Sequence, residues 1–132
     1  MDINATVLDA SAILASVNQE AGYETVERCL QGEAHCNAAN WSEVKRKIAG
    51  SRSGLNWLET WLEIESLLVE YHGLIIESVS REDAERAAER WEVNKSLSLA
   101  DRLCPALGDR PGLPAVTADQ AWGDGDMIIQ IR

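Results

Sequence analysis

The sequence predicts an α/β protein in which a mostly parallel central sheet carries helices on both faces. Two observations lead there. Short apolar runs at residues 5–8, 34–38, 74–76, 113–117 and 127–131 alternate with helical segments along the whole chain, and that alternation builds parallel sheets. The first run also passes directly into an acid, Asp9, and then a helix. This arrangement belongs to the carboxyl edge of open α/β sheets, where ligands collect. At 132 residues the chain is expected to form one domain, residues 1–132, with a substantial core.

The elements follow in order. Residues 5–8 read as a central strand, and a short helix is expected over 11–17. A second helix over 21–31 would bury Val26, Cys29 and Leu30 and stop at Gly32. Asn40 reads as the N-cap of a third helix with Glu43 at N3. Residues 50–54 read as a flexible loop. Residues 55–71 read as one long helix, apolar around much of its circumference through Trp57, Leu58, Trp61, Leu62, Ile64, Leu67 and Leu68. A single stripe suffices for packing on a sheet, so the excess points to a second contact, a dimer or a partner groove. Ser80 caps an amphipathic helix with Asp83 at N3, and Ser98 opens another with Asp101 at N3. Pro105 is expected to kink that last helix or end it early. Residues 123–126 read as a turn.

Composition narrows the function classes. Hydrophobic content of 45% and charged content of 26% fit an ordinary soluble globular protein. No apolar run is long enough to span a bilayer, and the N-terminus does not resemble a signal peptide. Cys29, Cys36 and Cys104 are odd in number and lack C-x-x-C spacing, which favours reduced thiols and a cytoplasmic location. The net charge of −10 argues against non-specific nucleic-acid binding by the whole surface. A nucleic-acid enzyme would need divalent ions to reverse the sign of its site, and a local basic strip for the phosphates.

Four acids stand out: Asp9 after the first strand, Glu43 and Asp101 in the first turns of helices, and Asp119 after the strand containing Thr117. One edge of a parallel sheet can gather all four. Carboxylates crowded together repel, and one or two Mg²⁺ ions, which take oxygen ligands, relieve that repulsion. A metal pair of this kind supports in-line attack at phosphorus. Ser11, two residues past Asp9, is placed to support whatever Asp9 holds. Each acid also fits a helix-capping role, which needs no catalysis.

The blocks Val7-Leu8-Asp9-Ala10-Ser11-Ala12, Asn40-Trp41-Ser42-Glu43-Val44, Ser98-Leu99-Ala100-Asp101-Arg102-Leu103-Cys104 and Thr117-Ala118-Asp119-Gln120-Ala121-Trp122 resemble those of PIN-domain proteins, and more narrowly the VapC toxins of bacterial toxin–antitoxin pairs. The resemblance implies a three-layer α/β/α sandwich and a Mg²⁺- or Mn²⁺-dependent endoribonuclease that acts on RNA. It further implies neutralisation by a cognate VapB-like antitoxin, and a homodimer. By position, Asp9, Glu43, Asp101 and Asp119 would be the catalytic, metal-binding acids. Ser11 and Thr117 would be supporting hydrogen bonders, and Asp124 a further candidate acid.

Lys45, Arg46 and Lys47, with Arg52 and Arg102, offer a phosphate-contact strip, although short charged runs are also ordinary solvated faces. Trp41 reads as core in preference to a base-stacking platform, and Trp57 and Trp61 as dimer or antitoxin contacts. Metalloprotease, nucleophile-elbow and P-loop patterns are absent. The rival readings are a non-catalytic module of the same fold that binds RNA or protein, and a phosphotransfer receiver or aspartyl-phosphate hydrolase. The receiver would want a lysine after a late strand, where Thr117-Ala118-Asp119 offers none. The hydrolase would want an acid where Ser11 stands.

Overall fold

A computed structural model describes residues 4–51, 56–93, 98–109, 112–123, 125 and 127–132, without the side chains of 90–93 and 106–109. Five parallel strands form one sheet: β1 (Ala5–Leu8), β2 (Glu33–Asn37), β3 (Ile75–Glu77), β4 (Ala115–Thr117) and β5 (Ile128–Gln130). Their order is β3-β2-β1-β4-β5. β1 is central and buried on both faces: Val7 and Leu8 point to opposite sides, and even the polar Thr6 is fully buried, as in a strand covered from both sides. The two faces are distinct. Leu8 joins a large cluster with Ile13, Val26, Cys36, Val44, Trp61 and Val116. Val7, its neighbour in sequence, joins Cys104, Ala115 and Trp122. Adjacent strand residues point to opposite faces, so these two clusters mark the two helical layers of the expected sandwich.

The helices are α1 (Ala10–Asn18), α2 (Tyr23–Gln31), α3 (Ala38–Ser51), α4 (Trp57–Glu65), α5 (Arg81–Val93) and α6 (Leu99–Asp109). α6 packs on β1, β2 and β4, while α1 packs on α2 and α3. The Ser80–Asp83 cap of α5 is reciprocal, with N–H to side-chain bonds of 3.0 Å in both directions. The Ser98–Asp101 cap of α6 is the same motif at 3.2 Å. Cys29, Cys36 and Cys104 are free and buried, and burial pushes the Cys29 and Cys36 thiols up. They serve as small packing groups. Among the described residues, no helix is long and apolar enough to cross a membrane.

Four local expectations change. α3 begins at Ala38, and its cap is Asn37, whose Oδ1 accepts from the Asn40 N–H at 2.8 Å. Asn40 therefore lies inside the first turn, and Glu43 falls one turn further on. The long helix is not uniform: Ser66–Tyr71 continues α4 as a π-helical segment. Trp61 is core, 2% exposed, its ring 5.0 Å from that of Trp41; the side of α4 that carries it faces inward. α6 runs through Pro105 to Asp109. The proline removes one helical hydrogen bond, but its ring is buried in a helix that the sheet and α5 hold in place. The expected start of the long helix at Leu55 lies outside the described residues, as does most of the expected turn at 123–126.

Candidate active site at the β1–β4 edge

The strand order reverses at β1: its chain neighbour β2 lies on one side and β4 on the other. In open α/β sheets the crevice at the carboxyl ends of two such strands is the place for a ligand. Leu8 is in register with Val116, so Asp9 and Thr117 emerge side by side at that crevice. The Asp9 N–H also donates to the Val116 carbonyl at 3.1 Å, tying the two strand ends together.

Asp9 is 1% exposed and is the N-cap of α1. Its Oδ1 accepts from the Ala12 N–H at 2.8 Å and from Ser11 Oγ at 2.7 Å. Its Oδ2 accepts from Thr117 Oγ1 at 2.6 Å. Ser11 Oγ in turn accepts from the Ala118 N–H at 2.9 Å, and Thr117 Oγ1 from the Asp119 N–H at 2.9 Å. Burial outweighs these bonds and raises the Asp9 carboxyl from 3.8 to about 6. The Thr117, Ala12 and Ser11 hydrogen bonds pull it down, and the negative charge of Asp101 pushes it up. A carboxylate held this way resists ionisation until a positive charge joins it.

Asp101 is brought within electrostatic range of Asp9 by a residue that sequence reading assigned only to a cap. The Asn40 side chain is 1% exposed. Its Oδ1 accepts from the Ala10 N–H at 3.0 Å, and its Nδ2 donates to the Ala100 carbonyl at 2.9 Å. One amide thus fastens the residue after Asp9 to the residue before Asp101. A sequence signal existed in the Asn37–Asn40 spacing, which places a second polar side chain behind a cap already supplied.

The other two acids sit differently. Asp119 caps a 3₁₀ turn, Gln120–Trp122, accepting from the Ala121 N–H at 2.9 Å. Glu43 is partly exposed and pairs with Arg46 at 3.4 Å. Among the described residues, no three His, Cys, Asp or Glu side chains form a group able to hold a metal. Of the candidate acids, Asp101 is the one whose charge reaches Asp9. The chemistry of this pair suits Mg²⁺, which is satisfied by one or two carboxylates with waters and a substrate phosphate. Of the proposed basic strip, Lys45 lies 5.7 Å from the centre of the Trp61 ring, and Arg102 donates to the Ser98 carbonyl at 3.3 Å. Arg52 and Asp124 lie outside the described residues.

This fold and this site define a class. The PIN domain family model matches residues 6–125, and the chain belongs to the PIN domain family. No curated protein matches it in sequence. Among solved structures, it is similar to a toxin–antitoxin complex from Klebsiella pneumoniae, at 13% identity over 96% of this chain and 98% of that one, with a TM-score of 0.73. It is also similar to VapBC2 from Rickettsia felis, bound to a DNA fragment from their promoter, at 14% identity over 96% of each chain and a TM-score of 0.67. A third is VapC20 of Mycobacterium tuberculosis, a toxin that cleaves the sarcin–ricin loop, at 17% identity over 92% of each chain and a TM-score of 0.60.

Proposed function

We propose that this protein is a divalent-metal-dependent endoribonuclease and the toxin of a toxin–antitoxin pair. The observation that carries the reading is the buried Asp9 carboxyl beside Asp101 at the sheet's switch point. Its ionisation is opposed by burial and by its neighbour, and a cation would relieve both. The toxins among its structural neighbours favour the same chemistry and a protein antitoxin as partner. Mg²⁺ or Mn²⁺ is the proposed ion, with Asp9 and Asp101 as its direct holders and Glu43 and Asp119 as further candidate acids.

A bound divalent ion would supply an activated water and charge neutralisation for phosphodiester cleavage. The chain's own residues set the stage. Thr117 and Ser11 fix the two oxygens of Asp9, leaving little rotational freedom to lose on binding. Asn40 sets the spacing between the Asp9 and Asp101 backbones. The buried floor formed by Leu8, Val116 and Ala118 keeps solvent from beneath the carboxylate.

A second reading, a non-catalytic PIN-fold module that binds RNA or protein, is favoured by the lack of any three-acid group among the described residues. Calorimetric titration with Mn²⁺ separates the two. The nuclease reading expects saturable binding that Asp9→Asn weakens at least tenfold, together with RNA cleavage that stops in EDTA. Binding without cleavage would support the module.

A further inference from the structure

The last strand carries one polar residue in an apolar run. β5 reads Ile128-Ile129-Gln130, and Ile131 follows it. The register of β4 and β5 pairs Gln130 with Thr117, the residue whose hydroxyl holds Asp9. The Ile131 N–H donates to the Thr117 carbonyl at 3.1 Å, which fixes this end of β5 on β4.

The Gln130 side chain closes the turn that carries Asp119. Its Nε2 donates to the Asp119 carbonyl at 3.1 Å and to the Gly123 carbonyl at 2.7 Å. Asp119 is the N-cap of the 3₁₀ turn and Gly123 its C-cap, so one amide spans the turn from end to end. Gly123 takes φ +75° and ψ −160°, a region that only glycine enters freely. Two carbonyl oxygens need two donors, and a terminal amide nitrogen has two. The orientation of the amide follows from these partners, since the reverse would set Oε1 against both carbonyls. A glutamate would do the same. Oε1 itself is buried with no hydrogen-bond partner among the described residues, which costs stability. The glutamine is therefore suited to the turn and not to the strand that carries it.

Asp119 is held on three sides as a result. Its N–H donates to Thr117 Oγ1 at 2.9 Å, its carbonyl accepts from Gln130, and its Oδ1 accepts from the Ala121 N–H. Thr117 Oγ1 passes its own proton to Asp9 Oδ2. A continuous path therefore runs from Gln130 through the Asp119 backbone and Thr117 to Asp9. Among the described residues no donor engages Oδ2 of Asp119, so that oxygen is free to serve the reaction. We infer that Gln130 is a positioning residue: it locks the Asp119 turn onto Thr117 and acts on cleavage only through Asp119. The inference rests on the nuclease reading for its reaction, and it makes Asp119 a working acid of the site. Outer partners of this kind are commonly worth about 10–100-fold in activity.

The test uses Gln130→Met, which keeps the length and removes both donors, and Gln130→Asn, which keeps the amide but is one methylene shorter. The first readout needs no metal. It is amide hydrogen exchange by NMR in EDTA at the Asp119 N–H, with the Ala12 N–H, bonded to Asp9, as the reference in the same site. Asp119 should exchange at least tenfold faster in both variants while Ala12 stays near its wild-type rate. Equal acceleration at the two amides, or none at either, overturns the inference. The second readout is single-turnover cleavage of a single-stranded RNA in Mn²⁺. Both variants should cleave about tenfold more slowly at saturating RNA, with the half-saturating RNA concentration unchanged. Asp119→Asn should lose at least as much, and adding Gln130→Met to it should cost nothing further. A double variant that loses the product of the two single effects overturns the positioning role, as does wild-type cleavage by the Gln130 variants. If the wild-type protein cleaves no RNA, the nuclease reading fails, and faster exchange confined to Asp119 still keeps Gln130 as the holder of the turn.

Discussion

Thr117 donates a 2.6 Å hydrogen bond from β4 to Oδ2 of Asp9 at the end of β1. The bond joins the two strands on either side of the switch point and favours the charged form of Asp9 in a place where burial opposes it. Thr117→Val keeps the shape and removes the hydroxyl. It also strips the acceptor from the Asp119 N–H. A loss of about 1–3 kcal/mol in urea unfolding is expected, along with Mn²⁺ affinity at least several-fold weaker at pH 7, read by calorimetry. Unchanged metal affinity would separate Thr117 from the site.

The Asp9 carboxyl also sets a pH dependence of stability. Its folded pKa, about 6, lies above its ordinary 3.8. The folded state therefore binds the proton more tightly than the unfolded state does. Without metal, stability contributed by this group is fully present below about pH 4 and is lost as pH rises through 6, by about 3 kcal/mol in all. In EDTA, the difference in unfolding free energy between wild type and Asp9→Asn should therefore shift in favour of Asn from pH 5 to pH 7.5. A difference that does not move with pH would mean that Asp9 ionises at its ordinary value.

Asn40 is the joint between the two acids' helices. Asn40→Ala leaves the Ala10 N–H and the Ala100 carbonyl without their partner, and about 1–3 kcal/mol of stability should go with them. Mn²⁺ affinity should fall as well, although Asn40 holds no metal. A variant that unfolds earlier but binds Mn²⁺ as before would show that the spacing of Asp9 and Asp101 is set elsewhere.

Gly22→Ala meets both a left-handed backbone angle and the Ile131 carbonyl. The expected cost is about 2 kcal/mol or more, seen as a lower thermal midpoint. A neutral substitution would show that Ile131 is not packed there.

What was legible in the sequence was mostly local or periodic. Alternating apolar runs located all five strands within two residues at either end, because a buried strand needs apolar side chains on both faces. Asp9 and Asp101 were visible because helix capping and charge concentrate at the same few positions. Trp61 lies in the core and not at an outer contact; a helix apolar all round gives no sign of which side faces inward. Leu58, Leu62, Leu67 and Tyr71 are the exposed ones. The part played by Asn40 was hidden for a different reason: its partners lie 30 and 60 residues away, and only the packing of α3 against α1 and α6 brings them together. The approach of Gly22 to Ile131 joins residues far apart in sequence, which no local pattern announces.

Cleavage of a single-stranded RNA by wild type and by Asp101→Asn, with Mn²⁺ and with EDTA, is the most direct test. Asp101 caps α6 from a partly exposed position, and asparagine can keep a side-chain acceptor for the Ser98 N–H, so the variant should fold. The expected result is metal-dependent cleavage by wild type, reduced at least a hundredfold in Asp101→Asn at a nearly unchanged melting temperature. Cleavage by Asp101→Asn at the wild-type rate, or by wild type in EDTA, would contradict the account.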